Sequence, residues 1–309
     1  MTADTPSRTS FLASRTSFVI ATRNRAPELS AVLERLLTTT KSPIIVVDNG
    51  SQDDSAATAR QLGSRAPGRI TVVALQENLG AVGRNVGVAR AQTPYIAFCD
   101  DDSWWEPDAL ALAEELFDRH QNLGLLAART VVWPDHRDDP LVAELANSAL
   151  GHRADLPGPS VLGFLACSAL VRKTAFEGAG GFSPLLHFRG EEQLLALDMA
   201  TQGWDLCYCA DLVAVHKPSS TRPPGPAQQA RSLRNAVLTA WLRRPLRVGL
   251  SATSTLLRAA MTDREHARAV AEALRMAPAV LRQRRRLPAG VEADAAALER
   301  RTQPPRHRD

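Results

Sequence analysis

The chain has no apolar run approaching the roughly 18 residues of a transmembrane helix, so no bilayer-spanning segment is expected. Cysteine is scarce. Cys99, Cys167, Cys207 and Cys209 have neither the paired spacing of a zinc site nor the density of a disulfide scaffold, which argues against a small secreted disulfide fold and points to a reducing cytoplasm. The first 16 residues are rich in Ser, Thr and Arg but lack the continuous apolar core of a secretion signal, and read as a disordered leader. A glycine-rich phosphate loop is also missing, since the segment after the first apolar run is Thr22-Arg23-Asn24-Arg25. Arg282-Gln283-Arg284-Arg285-Arg286 is strongly basic, yet no nucleic-acid-binding module accompanies it, and nucleic acid is not an expected partner.

What is present is an alternation of apolar runs and helical stretches. With 309 residues and 44% hydrophobic content, the chain can bury one large core with an appendage. Residues 17–21, 44–47, 70–75 and 95–99 read as strands. Residues 27–37 and 80–91 read as helices, with Leu29, Val32, Leu33, Leu36 and Leu37 on one face of the first. This rhythm predicts an α/β fold with a mainly parallel, Rossmann-like sheet flanked by helices. Such sheets bind ligands outside the carboxyl ends of their strands. Asp48 falls there after the second strand, and Asp100-Asp101-Asp102 after the fourth. Three adjacent carboxylates repel one another unless a cation neutralises them, and such a cluster suits Mg²⁺ or Mn²⁺ carrying a diphosphate. Taken alone, the triplet could equally be a solvated acidic turn capping the next helix.

Four segments in order make the argument specific: residues 19–25 (Val-Ile-Ala-Thr-Arg-Asn-Arg), residues 46–51 (Val-Val-Asp-Asn-Gly-Ser), Glu77-Asn78-Leu79-Gly80 with Gly83-Arg84-Asn85-Val86-Gly87, and Phe98-Cys99-Asp100-Asp101-Asp102. Together they resemble the family 2 glycosyltransferases, nucleotide-sugar enzymes of the GT-A fold. Gly190-Glu191-Glu192, which is similar to the family's Gly-Glu-Asp helix start, and Val213-Ala214-Val215-His216 extend the resemblance over about residues 16–218. The resemblance implies that Asp48 accepts from the ring N–H of a uracil or thymine base, with Thr22 and Arg25 at the base or ribose end. It lets Arg84 contact the diphosphate through charge-assisted bonds, with an ordinary solvated helix position equally open. Asp102 would be a direct metal ligand, Asp100 would face the ribose or a metal-bound water, and Asp101 would assist them or start the turn. His216 resembles a histidine that completes the metal shell in some members, although a surface role for it is equally open. Glu192 matches the base that takes the acceptor proton. This chain carries Glu where the family usually has Asp, which leaves the choice between Glu191 and Glu192 open. Burial or a like-charged neighbour would raise such a base toward working pH.

Trp104-Trp105-Glu106-Pro107 is expected to start a helix reaching about residue 120, with either tryptophan stacking on a sugar or packing in the core. Residues 123–132 and 163–171 read as strands, and residues 133–160 as an irregular excursion over the site. After the breaker Pro223-Pro224-Gly225-Pro226, residues 222–309 hold 18 Arg against 7 acidic residues, in a chain whose whole net charge is only +4. Residues 228–242 and 246–261 suggest helices there, followed by two further Arg-rich segments. The expected organisation is a leader over 1–16, a transferase domain over 17–221 divided at 102/103 into nucleotide-binding and acceptor-binding halves, and a basic helical C-terminal extension. That extension fits either peripheral contact with an anionic membrane, at the inner face of the plasma membrane, or a helical cap on the catalytic core.

These expectations describe a metal-assisted transferase that moves a sugar, with inversion, from a UDP- or dTDP-type donor to a hydroxyl of a glycan, a lipid-linked intermediate or a small molecule. A catalytically silent nucleotide-sugar binder is the competing class, and it would tolerate loss of Glu191 and Glu192. A nucleotidyltransferase is disfavoured by the absent glycine-rich loop.

Overall fold

The structure is a computed structural model that describes residues 14–218 and 225–302. Residues 1–13 of the expected leader lie outside the described residues, as do Pro223 and Pro224 of the expected breaker. Arg15 and Thr16, assigned to the leader, belong to the fold instead: Arg15 donates to both carboxylate oxygens of Asp118 at 2.9 and 2.7 Å, and Thr16 opens the first strand.

The chain begins β1 (Thr16–Thr22), α1 (Ala26–Thr39), β2 (Ile44–Asp48), α2 (Ser55–Arg65), β3 (Ile70–Ala74), α3 (Val82–Arg90), β4 (Tyr95–Asp100). β1 pairs in parallel with β2 and β4, and β2 with β3. Helices cover both faces, so β1, β2 and β4 are buried almost throughout and read as continuous apolar runs. Alternate residues divide between the two faces: Phe18 and Ile20 pack with Leu29, Leu33 and Leu36 of α1, while Val19 and Val47 meet Val88 of α3. Gly87 lets α3 lie close, because a Cβ there would come within 2.5 Å of Val19 Cγ1.

The second half adds β5 (Ser103–Trp105), α4 (Ala109–Arg119), β6 (Leu123–Val132), β7 (Arg137–Asp138), α5 (Pro140–Ala146), β8 (Ala169–Arg172), α6 (Lys173–Gly178), α7 (Glu191–Thr201) and β9 (Asp205–His216). The sheet runs β3-β2-β1-β4-β8-β6-β9-β5, with β7 on β6. It is parallel through β4 and mixed beyond, where β8 is antiparallel to both neighbours. Three expectations are corrected here. Trp104 and Trp105 are not a helix start but part of β5, antiparallel to β9, and both are buried; aromatic residues fit a pleated surface, and the helix begins only at Ala109. Trp105 Nε1 donates to Phe98 O at 2.9 Å, so this tryptophan belongs to the core. The stretch 133–160 contains α5, capped by Asp139, whose carboxylate accepts from Leu141 N. Of residues 163–171, only the last three are strand, after a 3₁₀ turn over Ala166–Ser168.

The C-terminal region forms α8 (Pro226–Arg243), α9 (Leu246–Ala260), α10 (Arg264–Gln283) and α11 (Ala289–Thr302). It rests on the second half of the sheet domain. Leu238 and Leu242 of α8 pack with Leu186 and Leu194, and Ala295 of α11 meets Leu197 of α7. Part of its positive charge is internal: Arg243 pairs with Asp198, and Arg244 with Glu292 and Glu299. All four cysteines are buried and unpaired. Among the described residues, no helix is long and apolar enough to cross a membrane.

Candidate active site

The carboxyl ends of β1 and β4 lie side by side, with Ala21 in register with Asp100, which brings Thr22 and Arg25 against the acidic triplet. Every carboxylate of the triplet has a cationic partner. Arg84 Nη2 donates to Asp100 Oδ1 at 2.5 Å. Arg25 straddles the other two, with Nε 2.7 Å from Asp101 Oδ1 and Nη2 2.8 Å from Asp102 Oδ2. The Thr22 hydroxyl donates to Asp101 Oδ2 at 2.7 Å. Burial raises the Asp101 carboxyl to about 7, against the opposing pull of Thr22 and Arg25. His216, at the end of β9, places Nε2 3.5 Å from Asp102 Oδ1. Burial opposes its protonation, but the hydrogen bond and charge of Asp102 outweigh that and raise it.

Arg84 is buried although it is an arginine. Desolvation disfavours its charge, yet Asp100, Glu191 and Glu192 together hold it above its ordinary value. The two glutamates form the first turn of α7. Burial, and for Glu191 the neighbouring charge of Glu192, raises both carboxyls, with Arg84 opposing. Glu191 is 1% exposed, and its Oε2 is buried without a hydrogen-bond partner. A buried orphan acceptor of this kind favours the protonated acid, which can hold a proton at neutral pH.

The loop ahead of α7 is held in an unusual shape. His187, Arg189 and Gly190 all have positive φ, at 58°, 75° and 80°. Three devices hold it there. Ala81 N donates to His187 O at 2.7 Å, and Gly80 is obligatory beside it because a Cβ would overlap that carbonyl. Asn85 exchanges two hydrogen bonds of 2.9 Å with the Phe182 backbone. Asn235 of α8, 1% exposed, directs Nδ2 at the carbonyls of Leu186, Phe188 and Arg189, at 2.9, 3.0 and 2.6 Å. Asn78, Gly80 and Ala81 therefore seat the loop ahead of α7, and the C-terminal region supplies a clamp on it through Asn235.

A cleft of about 470 Å³ opens over the triplet. Of the sequence-predicted residues, Thr22, Arg25, Arg84, Asp100, Asp101, Asp102 and His216 line it; Asp48, Glu191 and Glu192 do not. The Asp48 carboxylate is buried at the end of β2, where it accepts from the Ser51 hydroxyl and backbone N–H. Glu191 and Glu192 are not among the cleft's lining residues, and their charges act on Arg84, which is. Asn49, His187, Phe188 and Arg231 also line the cleft. Sequence reasoning missed the clamp residue Asn235 and the cleft residue Arg231, because both lie in a segment read only for its charge and amphipathicity. A buried Asn within an otherwise amphipathic helix is the signal that could have marked the first.

The donor set fits a divalent ion. Adjacent ligands on an octahedral cation at about 2.1 Å stand about 3 Å apart, close to the separation of Asp102 Oδ1 and His216 Nε2. One carboxylate and one imidazole, completed by phosphate oxygens and water, suit Mn²⁺ better than Mg²⁺. Among the described residues, no cluster of three or more His, Cys, Asp or Glu is disposed to hold a metal by itself. Substrate oxygens would have to supply the rest of the shell.

The chain has relatives of known family. The family model of Glycosyl transferase family 2 matches residues 17–179, more than half of the chain, and the protein belongs to that family. The succinoglycan biosynthesis protein ExoU of Rhizobium meliloti is 35% identical over 94 residues, 30% of this chain and 27% of that one. The chain covers only 27 to 35% of the curated relatives it matches. Mannosyltransferase PcManGT from Pyrobaculum calidifontis, solved with GDP-Man and Mn²⁺, superposes with a TM-score of 0.59 at 18% identity, over 94% of this chain and 87% of that one. S. aureus TarS 1-349, solved with UDP-GlcNAc, gives a TM-score of 0.53 at 18% identity, over 72% and 66% of the two chains. At these identities, the superpositions establish the GT-A fold.

Proposed function

We propose that the protein transfers a sugar from a UDP- or dTDP-type nucleotide donor to an acceptor hydroxyl, with inversion at the anomeric carbon. The observation that carries this reading is the acidic triplet held by Arg25 and Arg84 at the sheet's carboxyl edge, with the charges of Glu191 and Glu192 acting on the same Arg84. In the single displacement, the acceptor oxygen attacks the anomeric carbon while the bond to the donor's phosphate oxygen breaks and the nucleoside diphosphate leaves with the electron pair. Glu192 takes the acceptor hydroxyl's proton, and its raised carboxyl is matched to that task. Arg84 and Arg25 meet the negative charge that grows on the diphosphate, through charge-assisted hydrogen bonds. A divalent cation held by Asp102 and His216 would add Lewis-acid stabilisation of that charge. Thr22 and Asn49 flank the nucleoside end. Asp48 serves the base once Ser51 turns away from it. The relatives' part in bacterial polysaccharide synthesis makes a glycan or lipid-linked hydroxyl the favoured acceptor class.

Calorimetry with a panel of nucleotide sugars, in Mn²⁺, Mg²⁺ or chelator, tests the donor site. Selective metal-dependent binding is expected from the wild type and should be lost in Asp102→Ala. Equal binding by both proteins in chelator would remove the triplet from donor recognition.

A further inference from the structure

We propose that the outer face of α9 and α10 docks the protein on an anionic lipid surface, independently of the chemistry in the cleft. Among the described residues, eight large hydrophobic side chains remain exposed, and six of them lie on these helices or at their ends: Leu246, Leu250, Leu257, Met261, Leu274 and Leu281. They are not spare core. The inner faces of the same helices bury Leu256, Ala269 and Val280. At 3.6 residues per turn, the four on α9 fall within a sector of about 60°, and Leu274 and Leu281 form a line on α10. An apolar groove of about 360 Å³ runs between the two helices, lined by Trp241, Leu256, Leu257, Leu274 and Leu281.

Charge identifies the occupant. Arg247 and Arg258 edge the apolar sector of α9, and Arg264, Arg268, Arg275 and Arg282 form a ridge on α10 about 100° round from its leucines. Arg247, Arg258, Arg264, Arg275 and Arg282 have no ion-pair partner among the described residues. By contrast, Arg234, Arg243 and Arg244 are tied to acidic residues inside the fold. An apolar strip with uncompensated arginines along both margins matches a bilayer surface, where leucines enter the acyl boundary and guanidinium groups meet lipid phosphates. A second copy of the chain fits poorly, because a two-fold contact through this patch would set its arginine ridges against each other.

The test is co-sedimentation of the full chain with vesicles of phosphatidylcholine alone and of an equimolar mixture with phosphatidylglycerol. The protein should pellet with the mixed vesicles at low salt and release as salt rises. The double variant Leu250→Glu/Leu257→Glu should lower partitioning at least about tenfold, and each of Arg247→Gln and Arg275→Gln about fivefold. All four side chains are exposed, so the melting temperature should not move, which separates lost docking from lost folding. Absence of binding to the mixed vesicles, or binding that survives these variants, overturns the proposal. A dimer in sedimentation velocity that Leu250→Glu/Leu257→Glu dissociates, without vesicle binding, would assign the face to a second copy instead.

Discussion

In the cleft and in the helical bundle, arginines meet carboxylates, but the two sets differ in what surrounds them. Arg25 and Arg84 meet three adjacent aspartates in the lining of an open cleft, where the proposed function would have a diphosphate and cation take over either partner. Arg243 and Arg244 meet Asp198, Glu292 and Glu299 across the seams joining α8 to α7 and α11, and none of these five residues lines that cleft. On the proposed function, the same ion pair is an exchangeable site in one region and a fastener in the other. What decides is place, since a pair away from the cleft can contribute only to geometry and stability.

The largest effect that would sharpen this comparison is on chemistry. Glu192→Gln should lower the transfer rate by roughly 10² to 10⁴ while donor affinity stays unchanged, read from initial rates beside calorimetry. Unchanged transfer would move the base to Glu191. Arg84→Ala comes next, because it leaves Asp100 without its cation near two buried glutamates; a loss of about 3–5 kcal/mol is expected in urea unfolding. Asn235→Ala should cost about 1–3 kcal/mol by stranding three carbonyls, and should lower kcat more than it raises the donor KM, since it loosens the catalytic loop and leaves the cleft floor intact. An equal loss of both would make Asn235 a fastener only.

The smallest effect is on pH dependence. Glu191 is raised above its ordinary value near 4.5, so between that value and its folded value the native state binds more protons than the unfolded state. Stability contributed by this site therefore falls as pH rises above about 4.5. Glu191→Gln should raise the melting temperature at pH 8 and leave it nearly unchanged at pH 4. A gain of equal size at both pH values would show that the carboxyl is not titrating.

The parallel half of the fold was legible because its strands are buried on both faces and its first helix follows a clean 3.6-residue period. The second half was less so. Ser103-Trp104-Trp105 carries no local mark distinguishing a strand from a helix start; its pairing with Ala214, Val215 and His216, more than 100 residues away, decides the matter. The place of the triplet at the carboxyl end of β4 was legible, but not the protein's own cations that help to neutralise it. Arg25 and Arg84, 77 and 16 residues from their partners, already do so in part, and nothing in spacing announces either pair.

By itself, the sequence determined the βαβα order, the position of the acidic triplet at a strand's carboxyl end and the uneven charge of the C-terminal region, because periodicity and composition are local properties. Only the tertiary structure decided which arginines face carboxylates and which face solvent, that the C-terminal region clamps the loop ahead of α7 through Asn235, and that Glu191 Oε2 is buried without a hydrogen-bond partner. Those outcomes depend on burial and on contacts between residues far apart in the chain, and burial is what turns an ordinary carboxylate into one that keeps its proton.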